Sequence, residues 1–210
     1  MRLIFILLIT VNSLTSLAGF EGVITSTIFN QGQSVEVKWF IKEDMLKLSM
    51  GYEGESGPTT AEFIVKKGEE TMTVITTSAA YNGFSEINKS TISGSLNIHN
   101  LFFQKTETTS EDVVKYQAKN NQYNCAIWQK EIDIQLGAFS AFFQDDPAFV
   151  LLEQLGLSGF PEKVLLTNHN GELIYASTVI NIEQRQLSSS DFSIPEGYQK
   201  REPVEMEIAK

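Results

Sequence analysis

Cysteine is nearly absent from this chain: Cys125 is the only one in 210 residues. No intrachain disulfide can form, and neither a disulfide scaffold nor a cysteine-rich zinc site is open to it. Histidine is almost as scarce. His99 and His169 have no Cys, Asp or His at metal-ligand spacing, so both are read as turn or surface residues. A glycine-rich phosphate loop, a G-x-S-x-G elbow and an H-E-x-x-H helix are all missing. Positive charge is in deficit: 16 Lys plus Arg stand against 26 Asp plus Glu, a net charge of −10. That balance repels phosphate backbones and anionic headgroups, so no nucleic-acid partner is expected, and the charge as a whole disfavours membrane surfaces.

Long apolar runs are also lacking, with one short exception. Met1-Arg2 is followed by Leu3 to Val11 (LIFILLITV) and then by Asn12 to Ala18 (NSLTSLA). The run is about half the ~18 residues of a spanning helix, so no transmembrane anchor is expected. A positive start, an apolar stretch, and small Ser16 and Ala18 before a cleavage point form the layout of a secretory signal peptide. Residues 1–18 are therefore expected to be removed. Residues 19–200 are read as one domain and 201–210 as a polar tail. With no cysteine near the cleavage point for a lipid anchor, the expected location is the periplasm or the outside of the cell.

The rest reads mainly as strands. Phe20 to Phe29 is β-branched and aromatic. In Val35 to Lys42, Val35, Val37, Trp39 and Ile41 alternate with Glu36, Lys38, Phe40 and Lys42, the pattern of a strand with one buried face. Leu46 to Tyr52 alternates after the Lys42-Glu43-Asp44 turn, Glu53 to Pro58 reads as a loop, and Ala61–Val65 and Thr71–Thr77 give two more strands. Ser78 to Asn100 shows no sustained period. Leu101–Lys105, Val113–Lys119 and Cys125–Lys130 are shorter strand candidates. The last puts Cys125 and Ile127 on one face, away from Ala126 and Trp128, so Cys125 is expected to be shielded.

Ala138 to Leu157 is the helical candidate. Pro147 suits a first turn after Asp145-Asp146, a pair better placed to start a helix than to share acid–base work. Phe149, Leu152 and Leu155 would face inward together. Val164–Asn168, an Asn170-Gly171 turn and Leu173–Ile182 form a hairpin, and Asp191–Pro195 is a final strand signal. Aromatics are the plentiful class, with 14 Phe, 6 Tyr and 2 Trp. Packing accounts for most of them, but in a closed or strongly curved sheet the inner face can also line a cavity.

FEGVITSTI, VKWFIKEDMLKLSM, TAEFIVKKGEETMTVIT, the central YNC and the terminal DFSIPEGYQK together resemble the bacterial domain-of-unknown-function family 4412. That family is similar in architecture to the lipoprotein carrier LolA. The resemblance implies an incomplete antiparallel β-barrel, a strongly curved sheet with one or two helices closing the concave face and an apolar cavity. It implies no reaction.

The expectation is therefore a non-enzymatic envelope protein with no catalytic residue, no metal and no cofactor. It would hold a lipid, an acyl chain or a lipidated protein in a half-barrel cavity. The expected apolar lining is Trp39, Leu48, Met50, Phe63, Phe102, Trp128, Phe142, Phe149 and Leu152. The competing expectation is a structural or protein-interaction role with a solidly packed sheet and no ligand.

Overall fold

The computed structural model describes residues 19–30, 32–54, 57–88, 102–110, 113–130, 134, 139, 146–154 and 159–202, with the backbone alone for 102–110 and 153–154. Residues 1–18, expected to be a signal peptide, His99, Phe142, Leu155 and the end of the tail lie outside these residues, as does the side chain of Phe102.

Alternation of apolar and polar residues builds most of the molecule. Six strands follow one another: β1 (Gly22–Asn30), β2 (Gln33–Lys42), β3 (Met45–Gly54), β4 (Gly57–Lys66), β5 (Thr71–Ser78) and β6 (Asn82–Asn88). Then come β7 (Phe102–Ser110), β8 (Val113–Lys119), β9 (Tyr123–Lys130), helix α1 (Pro147–Gln154), β10 (Pro161–Asn168), β11 (Leu173–Gln184) and the two-residue β12 (Gln199–Lys200). Their spatial order is β12-β6-β5-β4-β3-β2-β1-β11-β10-β9-β8-β7, one open sheet. Every pairing is antiparallel except that of β12 with β6. The sheet is not closed into a barrel. Laid flat, twelve strands would span about 53 Å. Open sheets this wide generally curl, and α1 shares one core with residues of strands from β1 to β11.

One face of the sheet is the inner one. Ile24, Val37, Trp39, Ile41, Leu46, Val65, Val74, Cys125, Ile127, Val164, Leu166 and Tyr175 form a single core with α1 and Phe160. The outer face carries a second core. There Val23, Ile64 and Ile75 meet Leu187 and Phe192 from beyond β11. The chain after β11 acts as a strap. The Leu187 N–H donates to Glu21 Oε1 at 2.6 Å, and Lys42 Nζ donates to the Leu187 carbonyl at 2.6 Å. A 3₁₀ turn at Ser189–Phe192, closed by a Ser188/Asp191 capping box, drives Phe192 into the outer core. Gly197, at φ +83, then turns the chain so that Tyr198 reaches Thr77 at 2.7 Å. β12 finally adds to the β6 edge.

Three readings of the sequence are corrected. Glu53 and Pro58 belong to the ends of β3 and β4, which pair out to Gly54 and Gly57, so the loop is shorter than its composition suggests. β6 goes unseen in the sequence because Phe84 and Ile87 sit on opposite faces of a polar strand and give no period. Asp191–Pro195 is not a strand: its Phe192 is buried through the 3₁₀ turn, whereas Ile194 stays 37% exposed.

Candidate functional site

The inner face over β2–β5 is ordered by register. Trp39 lies opposite Leu48, Leu48 opposite Phe63, and Phe63 opposite Val74. In the next row Val37, Met50 and Ala61 stand side by side. Of the nine residues expected to line a cavity, this face brings together six: Trp39, Leu48, Met50, Phe63, Phe149 and Leu152. Trp128 is not among them. The period of two that buries Cys125 and Ile127 turns Trp128 to the outer face, between Lys115 and Lys163, whose ammonium groups lie 4.9 and 5.2 Å from its ring centroid.

The six divide into two groups. Trp39, Phe149 and Leu152 are fully covered. Trp39 packs against Phe149 and Phe160 with ring centroids 5.4 and 5.1 Å away. Its indole N–H donates to Ser26 Oγ at 2.8 Å. Ala148 through Leu152 are all buried, five consecutive positions that cover every side of a helix. That part of α1 is a plug in the core, and the inward stripe of Phe149 and Leu152 is half of a wholly covered turn. Leu48, Met50 and Phe63 are only half-buried, beside the covered Leu46 and Val65. They form an apolar strip next to the plug.

The inner face also holds polar groups. Asp146 caps α1: Ala148 N–H donates to Asp146 Oδ1 at 2.8 Å, and the Tyr175 hydroxyl donates at 3.4 Å to either carboxylate oxygen. Burial pushes the Asp146 carboxyl up to about 6, against the lowering effect of the Ala148 and Phe149 N–H groups and of the Tyr175 hydroxyl. Burial and the neighbouring Asp146 hold Tyr175 well above the usual phenol range. Cys125, across Leu166 from Tyr175, is 5% exposed, and burial pushes its thiol up to about 12. A thiol so protonated is a poor nucleophile.

The sequence reading missed Tyr175, Ser26 and Phe160. Ser26 could have been found, since it shares the face of Ile24 and Ile28 within the first strand. Tyr175 meets Asp146 only in three dimensions. His169 occupies the exposed β10–β11 turn, where its backbone N–H donates to the Gln122 carbonyl at 3.0 Å. Among the described residues, no group of three His, Cys, Asp or Glu is placed to hold a metal. No helix among them is long and apolar enough to cross a membrane.

Residues 145–198 match the family described as Domain of unknown function (DUF4412). They include α1, β10, β11 and the strap as far as Tyr198. No curated protein matches the sequence. A crystal structure of an uncharacterized conserved protein from Thermus thermophilus is similar, with TM-score 0.50 and 6% identity over 87% of this chain and 91% of that one. At that identity the likeness is one of fold alone. A structure of PNGF-II aligns at TM-score 0.44 and 12% identity over 86% of this chain and 30% of that one. Nothing is carried over from it.

Proposed function

We propose that this is an exported, non-enzymatic envelope protein that holds an apolar ligand on the inner face of its sheet, in the manner of a LolA-like carrier. The ligand is a lipid, an acyl chain or a lipidated protein. One observation carries the reading: Leu48, Met50 and Phe63 form a half-buried apolar strip in register beside the buried Trp39, Phe149 and Leu152. Each methylene that becomes fully buried there gains about 0.8 kcal/mol. Association costs at least about 4 kcal/mol. A ten-carbon contact would therefore reach only about millimolar affinity, and micromolar binding takes about sixteen carbons. The proposed occupant is accordingly a long chain.

Titration with an apolar fluorescent probe tests this, with Leu48→Asp and Phe63→Asp as variants. Both should lose probe binding while the sheet still melts cooperatively. Probe binding equal to that of the parent would reject the strip as the site. A second reading is favoured by the packing of Trp39, Phe149 and Phe160. If masses of chain and ligand never co-purify, the sheet is a solid scaffold that acts through protein contacts.

A further inference from the structure

The net charge of −10 conceals how charge is distributed over the sheet. The strap covers the outer face over the β1–β6 half only. On the outer face of β8, β9 and β10 the alternation places Lys115, Lys119, Lys130 and Lys163. Among the described residues of that face no carboxylate stands between them. Glu162 sits at its margin, where the register shifts between Pro161 and Lys163. Trp128 is at the centre, with Lys115 and Lys163 directly opposite it on either side. Lys119 and Lys130 are exposed, and Trp128, Lys115 and Lys163 are half-buried.

We infer that the outer face of β8–β10 is a docking surface for an anionic lipid bilayer. The cations are all lysines, which act as point charges on phosphate, and none is the bidentate arginine fork that reads a carboxylate in fixed geometry. They are spread over a sheet face about 10 Å by 23 Å, a plane that fits a plane of headgroups better than a single acidic peptide. A tryptophan among lysines matches the depth profile of a bilayer surface, with the ring at headgroup level and the ammonium groups at the phosphates. The acidic remainder of the molecule is repelled by the same surface, which turns this face inward. The inference does not depend on a ligand at the inner face.

Vesicle flotation tests it, with vesicles of equimolar phosphatidylglycerol and phosphatidylcholine beside vesicles of phosphatidylcholine alone. The full mature chain should float with the anionic vesicles only. It should be released at about 0.5 M salt, where screening acts over about 4 Å. Its tryptophan emission should shift to the blue on binding, and Trp128→Phe should abolish that shift. Lys115→Glu with Lys163→Glu should weaken binding about tenfold or more. The pair Lys66→Glu and Lys67→Glu makes the same change of net charge on the β4–β5 turn and should leave binding as it is. Three results would overturn the inference. They are no flotation with anionic vesicles, equal loss in both pairs, and capture by soluble polyglutamate without capture by vesicles.

Discussion

Trp39 donates its indole N–H to the hydroxyl of Ser26 at 2.8 Å, and both side chains are buried, at 3% and 0% exposure. The bond ties β2 to β1 beneath α1 and fixes the ring that Phe149 and Phe160 pack against. A serine in an otherwise apolar register is there to accept that proton. Ser26→Ala keeps the size and removes the acceptor, which should cost about 1–3 kcal/mol. Urea unfolding followed by tryptophan emission measures it. A variant as stable as the parent would show that the bond contributes nothing net.

Asp146 should make stability depend on pH in a defined direction. Its carboxyl stands at about 6 instead of 3.8, so the folded state holds the proton more tightly than the unfolded chain does. The stabilising contribution is complete below about pH 4 and is lost as the pH rises through about 6, a change of up to about 3 kcal/mol. The Tyr175 hydroxyl that bonds to it is pushed upward and stays neutral in this window. Asp146→Asn still caps the helix and cannot titrate. Stability of the variant minus that of the parent should therefore grow between about pH 4 and about pH 7. A constant difference would contradict the placement of this carboxylate.

Cys125 should react slowly with a thiol reagent in the folded protein and quickly in denaturant, because its thiol is buried and pushed up to about 12. Fast labelling of the folded form would refute the burial.

Much of this architecture is legible in single residues. The alternation in VEVKWFIK places Trp39 inside, and that around Cys125 places Ile127 inside, because a strand has a strict period of two. The same rule puts Trp128 outside, against the cavity-lining role that its aromatic character suggests. Pro147 after Asp146 marks the start of α1, since a proline there loses no helical hydrogen bond. Contacts between distant segments are not legible. The strap depends on Tyr198 meeting Thr77 and on Phe192 meeting Val23 and Ile64. The lysine surface exists only after β8, β9 and β10 are laid in register.

The strap is structural in this account, and its loss should be separable from binding. Phe192 is 6% exposed in the outer core. Phe192→Ala should cost about 3–5 kcal/mol, read as a lowered melting midpoint. Probe binding at the inner face, measured below that midpoint, should be unchanged. Loss of binding in a folded Phe192→Ala protein would mean that the outer face takes part in the site.

The proposed long-chain ligand rests on Leu48, Met50 and Phe63. Native mass spectrometry of the protein purified gently from its native source tests this most directly. The parent chain should carry an added lipid or acyl mass, and a folded Phe63→Asp variant should lack it. A parent chain that flies only at its bare mass, or an adduct that persists in Phe63→Asp, would contradict it.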